Sequence, residues 1–162
     1  LIAGYKEYVE RAIPPVAKLN IYGLGSKKQL NKLKRLIKNI PTIRFHGPAF
    51  GEQKEKVLLQ SDILLLTSRY EGFPTIFIDV LKRGIPVIIT PGTNATYFQN
   101  QGVAWVAGLN ASAIASTIEI ATKDWLKNKA SIAKACVDFA WNEFDINKNI
   151  NQTISIYQEV LT

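Results

Sequence analysis

The strongest constraint in this sequence is an alternation. Five short apolar, β-rich runs (Leu19 to Tyr22, Thr42 to His46, Asp62 to Thr67, Pro86 to Thr90 and Val103 to Ala107) are separated by segments of helical period. Short strands, apolar on both faces and separated by single helices, are what a parallel sheet covered on both sides requires. The expected fold is therefore α/β, a doubly wound parallel sheet of about five or six strands with helices on both faces. Connections between parallel strands are right-handed, and ligands bind outside the carboxyl ends of the strands, near the point where strand order reverses. Functional residues are thus sought just after each strand.

The intervening segments have readable ends. Ala3 to Ile13 is amphipathic and is stopped by Pro14-Pro15, where missing amides and ring clashes end a helix. Leu30, Leu33, Ile37 and Ile40 recur at helical spacing behind Ser26, a suitable N-cap. Glu52 to Gln60 and Pro74 to Lys82 fill the next two gaps, Ala111 to Ala121 follows the fifth run, and helices at about Asp124 to Trp141 and Ile146 to Leu161 close the chain. The 162 residues suffice for one well-cored domain. The longest apolar runs, such as Ile63 to Leu66, are far shorter than the roughly 20 residues of a membrane-spanning helix.

Composition narrows the setting. An apolar fraction of 47 % rules out disorder for the chain as a whole. One cysteine, Cys136, and one histidine, His46, leave neither an internal disulfide nor a structural zinc cluster, which fits a cytoplasmic protein. With no methionine and no signal-peptide pattern at Leu1-Ile2-Ala3, the sequence reads as a piece of a longer protein. Sequons at Asn94, Asn110 and Asn151 would matter only in secretion and read as chance. The net charge of +7 is concentrated on one helix, in Lys27, Lys28, Lys32, Lys34, Arg35 and Lys38. These residues form a solvated face or a contact with anionic lipid at the inner membrane surface. Nucleic acid is not expected, because no aromatics interleave with the lysines.

Two stretches carry candidate chemistry. The first run ends in Tyr22-Gly23-Leu24-Gly25-Ser26, which suits either an ordinary strand-to-helix turn or a phosphate held at a helix N-terminus. The third glycine of a dinucleotide fingerprint is absent, since position 28 is Lys. The third run leads into Ser68-Arg69-Tyr70-Glu71-Gly72-Phe73-Pro74-Thr75-Ile76-Phe77-Ile78-Asp79. Pro74 suits the first position of a helix, and Gly72 lets a ligand approach the backbone before it. Asp79 then lies about 7.5 Å beyond Pro74 along the helix, so Glu71 and Asp79 can reach different parts of one elongated ligand. No Asp-x-Asp occurs, so no metal is expected beside a diphosphate.

These residues resemble a known family. The Glu71 to Asp79 segment is similar to the paired-glutamate signature, eight positions apart, of the C-terminal, donor-binding half of a GT-B fold glycosyltransferase of retaining family 4, or group 1. Similar landmarks are Ile21 to Gly25, Phe45-His46-Gly47, Ser61-Asp62, Lys82 to Val87 and a closing helix with Tyr157, so the resemblance spans about Ala3 to Leu161. It implies a Rossmann-like domain over residues 1–145, and a C-terminal helix over 146–162 that packs back toward an absent N-terminal half.

The resemblance also implies roles. Glu71 would contact the donor sugar beside the reacting carbon and is the candidate catalytic residue. Ser68 and Arg69 precede it in the donor site, and Gly72, Phe73, Pro74 and Thr75 would hold sugar and diphosphate. Asp79 would hold the ribose hydroxyls, although the family's residue there is the longer Glu. His46 and Gly47 would line the nucleoside pocket, largely through backbone, and Gly23 and Gly25 would lie near the phosphates. The implied substrate is a nucleotide-sugar, UDP-linked by expectation, with no metal and no other cofactor. A hexose would pass to a saccharide, lipid-linked or protein acceptor, in bacterial surface polysaccharide or glycoconjugate synthesis. A basic pair on a strand before the first helix is also implied and lies outside this sequence, so the fragment alone is expected to be inactive. The alternatives are a non-transferase enzyme of the same fold, such as an epimerase or phosphorylase, and an inactive nucleotide-binding module.

Overall fold

The computed structural model describes residues 1–13 and 16–161. Helix α1 (Ile2–Arg11) leads to β1 (Leu19–Tyr22), α2 (Lys27–Ile37), β2 (Ile43–Gly47), α3 (Gly51–Leu59), β3 (Leu64–Leu66) and α4 (Ile76–Leu81). Then come β4 (Val87–Ile89), two 3₁₀ turns, β5 (Ala104–Val106), α5 (Ala111–Glu143) and α6 (Ile146–Val160). All five strands found in the sequence form, four of them shortened or shifted at their ends, β3 the most, to Leu64–Leu66. The stop assigned to Pro14 and Pro15 lies outside the described residues.

Every ladder is parallel, and side-chain alternation divides the interior into two cores. Val87 and Ile89 of β4 pack with Phe77, Val80, Leu81, Phe98, Cys136 and Ala140. Ile88, between them, points to the opposite face and joins Tyr5, Tyr8, Ile114 and Ile118. Helices therefore cover both faces of the sheet, as a doubly wound fold requires: α1 and the first half of α5 on one, α4 and the second half of α5 on the other. Helix α1 lies so close to α5 that a Cβ on Gly4 would sit 2.6 Å from Ile114 Cβ. Burial of the Cys136 thiol pushes its pKa up to about 12, so it stays a protonated core side chain.

Three expectations are corrected. The five strands form two hydrogen-bonded sheets, β1-β2 and β3-β4-β5, instead of one. They share a core, since Leu19 and Ile21 pack on the same cluster as Ile63 and Leu65. The β1-β2 pair is apolar on that face only, with Asn20, Tyr22, Arg44 and His46 exposed on the other. Second, the helices expected at 111–121 and 124–141 are one helix kinked at Asn128, whose φ/ψ of −125°/25° is non-helical. The kink lets α5 turn from one core to the other. Third, Pro74 does not begin a helix: α4 starts at Ile76 after two i→i−3 bonds, Phe77 N–H to Pro74 O at 3.0 Å and Ile78 N–H to Thr75 O at 3.1 Å. The spacing counted as α-helical rise from Pro74 therefore applies only from Ile76 onward.

Candidate functional site

The candidate residues lie at or just after the carboxyl ends of β1, β2 and β3, except Asp79, which lies on α4. At the end of β1 the register shifts between Ile21 and Tyr22, so that Tyr22 pairs with Gly47, and Gly23 N–H donates to Gly47 O at 2.9 Å. Gly23 and Gly47 have φ of 151° and 80°, regions that side-chain-bearing residues rarely adopt. Ser26 caps α2 as expected, within a reciprocal capping box: Gln29 N–H donates to Ser26 Oγ at 3.3 Å and Ser26 N–H to Gln29 Oε1 at 2.8 Å. Two amides beside Gly25 are thus occupied by the helix's own side chains. The His46 ring stacks on Tyr22 at 4.8 Å between centroids and hydrogen-bonds Asn20 Oδ1 at 2.9 Å.

The loop after β3 is held from beneath by the loop after β4. Glu71 N–H donates to Gly92 O at 2.7 Å, and the Thr90 hydroxyl, buried, donates to Ser68 O at 2.5 Å. Asn94, in the left-handed conformation at φ 52°, donates from Nδ2 to both Glu71 O and Gly72 O at 3.1 Å. Gly92 is required by contact, since a Cβ there would lie 2.1 Å from Arg69 O. The Ser68 hydroxyl donates to Glu71 Oε1 at 2.8 Å and so orients the half-buried carboxylate. Loop 90–94 is therefore a template for 68–72. It was missed in the sequence, although its place directly after β4 is where such folds keep function.

Beyond Glu71 the residues divide. Gly72 faces open space, with nothing within 4 Å of a Cβ. Phe73, still 38 % exposed, packs its ring against those of Phe77, Phe98 and Phe144 at 5.7 to 6.2 Å between centroids, which anchors the loop. Pro74 and Thr75 form the turn into α4. Arg69 is exposed, and among the described residues its guanidinium has no partner. Asp79, on α4, accepts a bond from Lys54 Nζ of α3 at 2.5 Å. Lys54 also went unnoticed, because α3 reads as an ordinary charged surface helix.

The arrangement offers an elongated ligand an oriented carboxylate at Glu71, an open backbone at Gly72, an unpartnered cation at Arg69 and a second carboxylate at Asp79. Among the described residues no three His, Cys, Asp or Glu side chains gather, and no helix is long and apolar enough to cross a membrane.

Comparison with known proteins adds the following. The family model described as glycosyl transferases group 1 matches residues 5–136. An uncharacterized glycosyltransferase of Methanocaldococcus jannaschii is 23 % identical over 160 residues, which cover 94 % of this chain and 41 % of that protein. A glycosyltransferase structure from Rickettsia africae superposes with a TM-score of 0.80 at 22 % identity, covering 100 % of this chain and 44 % of its own. Anabaena HepE in complex with UDP-glucose gives 0.74 at 20 % identity, with 94 % of this chain and 44 % of its own covered. The chain thus spans under half the length of these proteins.

Proposed function

The chain belongs to the group 1 glycosyl transferases, and from that premise we propose that it is the nucleotide-sugar-binding half of a retaining, metal-independent hexosyltransferase. The observation that carries this reading is the templated loop at the end of β3, which sets the Glu71 carboxylate at the rim eight positions before Asp79. Glu71 takes the donor sugar beside its anomeric carbon, the backbone of Gly72 to Thr75 takes sugar and diphosphate, and Asp79 takes the ribose. Arg69 and the backbone near Gly23 and Gly25 approach the phosphates, while His46 and Gly47 line the nucleoside pocket.

A carboxylate beside the anomeric carbon assists transfer by stabilising positive charge as the carbon–oxygen bond to the diphosphate lengthens. Cationic side chains stabilise the charge that accumulates on the departing diphosphate. In the retaining course the acceptor hydroxyl enters on the face the diphosphate leaves. The HepE complex supports a uridine nucleotide as donor. The acceptor, a saccharide, a lipid-linked sugar or a protein, then enters between this domain and an N-terminal half, against which α6 packs. The 162 residues alone bind donor weakly and transfer nothing. Lys27, Lys28, Lys32, Lys34, Arg35 and Lys38 have no ion-pair partners among the described residues, which supports peripheral contact with an anionic membrane from the cytoplasmic side. Such a site suits assembly of bacterial surface polysaccharide.

Calorimetric titration of the intact protein with UDP, GDP, ADP and their sugar conjugates tests this reading. One base should bind preferentially, and Glu71→Ala should lower affinity for the sugar conjugate more than for the bare diphosphate. Equal losses for both, or no binding at millimolar concentration, would remove Glu71 from the sugar site.

A further inference from the structure

Asp79 is one methylene shorter than the glutamate of the family pattern, and the fold supplies it with a neighbour. Lys54 Nζ donates to Asp79 Oδ2 at 2.5 Å, with 37 % and 38 % of the two side chains exposed. The next residue on α3, Glu55, pairs with Arg83 just past α4, and Arg83 Nη1 also donates to the Asp79 carbonyl at 2.5 Å. Helix α3 therefore presents a cation and then an anion, and α4 with its following turn answers with an anion and then a cation. A half-exposed ion pair adds little stability, so holding the helices together is a weak reason for this pattern.

Its geometric effect is stronger. A half-exposed carboxylate can change rotamer unless something holds it, and the hydroxyls of a vicinal diol need an acceptor held in one direction. With Oδ2 occupied by Lys54 and the Asp79 backbone held by Arg83, Oδ1 is the oxygen left without a partner among the described residues. We infer that Lys54 is a positioning residue, whose ammonium holds Asp79 so that Oδ1 is presented to the ribose hydroxyls of the nucleotide. The inference rests on Asp79 being the ribose ligand.

The test uses the intact protein and calorimetry with UDP, GDP and ADP, followed by the 2′-deoxy counterpart of the tightest binder. Wild type should favour the ribonucleotide about tenfold, the scale of one hydrogen bond to a charged group. Lys54→Met should weaken ribonucleotide binding and shrink that preference below about threefold, with the melting temperature little changed. Lys54→Arg should keep the preference. Exchanging the pair, as Lys54→Asp with Asp79→Lys, should restore the helix contact and leave the preference lost, which a purely structural role of both residues would not do. Should Lys54→Met fail to fold, Lys54→Gln carries the same comparison.

Three results would overturn the inference: an undiminished preference in Lys54→Met, an equal loss for both nucleotides, which makes Lys54 a counter-charge to phosphate, or tighter binding, which makes it a competitor of ribose. If wild type shows no preference, the assignment of Asp79 fails and the inference fails with it. A preference lost in Asp79→Asn but kept in Lys54→Met sinks only the role of Lys54.

Discussion

Two glycines of the site, Gly92 and Gly72, are opposites in their surroundings. Gly92 carries a carbonyl that receives the Glu71 amide, and its Cα faces the Arg69 carbonyl so closely that a methyl group has nowhere to go. Gly72 faces open space. Gly92→Ala should therefore cost about 2 kcal/mol or more in a urea melt, because backbone must move. Gly72→Ala should stay within about 0.5 kcal/mol of wild type while weakening donor binding, since the added methyl occupies the ligand's approach. Loss of stability at Gly72 comparable to that at Gly92 would show that the loop is not templated as described. Glu71 was legible in the sequence because it follows an apolar strand and precedes a turn and a helix. Asn94 and Thr90 were not, because their value lies in touching a loop some 22 residues away, a contact that no local pattern encodes.

At the scale of the element, local chemistry was readable where it is self-contained. Ser26 and Gln29 cap α2 within one turn, and Leu30, Leu33 and Ile37 are its half-buried positions, with Ile40 half-buried just beyond its end. Pro74 misled because its fixed φ suits a 3₁₀ turn as well as an α-helix. The length of α5 was obscured because Asn128 kinks the helix without ending it. Near that kink α5 is tied to the approach of β3: Trp125 Nε1–H and Lys129 Nζ both donate to Asp62 at 3.0 Å. Burial alone would raise the Asp62 pKa, but these donors outweigh it and hold the carboxyl below its ordinary value of 3.8. A depressed pKa contributes stability above the unfolded value that is lost as pH falls through the folded one. Asp62→Asn should therefore be less stable than wild type near neutrality, and the gap should close as urea melts are taken below about pH 4. A gap independent of pH would assign the loss to packing instead of charge.

At the scale of the whole molecule, parallel strands with helices on both faces were legible in the apolar runs, whereas the break between the two sheets was not. Periodicity reports which residues are apolar and says nothing about which strand edges meet. Helix α6 was equally legible as an element, and its surroundings were not: Ile146, Ile150, Ile154, Tyr157 and Leu161 form a stripe at helical spacing, yet the helix has no buried residue. Removing residues 146–162 from this chain should change its unfolding free energy by no more than about 0.5 kcal/mol. In the intact protein the same deletion should lower the melting temperature by several degrees, because the proposed N-terminal half covers the stripe. Equal small effects in both would mean that α6 packs on neither half. The division between β1-β2 and β3-β4-β5 has a consequence of its own. Backbone pairing gives a sheet its cooperativity, and here that pairing stops between the two sheets while side-chain packing continues across. The β1-β2 pair, with one face in water, is thus a separate unit of local opening that can loosen while β3, β4 and β5 stay closed. Gly23, His46 and Gly47, proposed to face the nucleotide, then sit on the unit that opens first, and the Glu71 loop on the other.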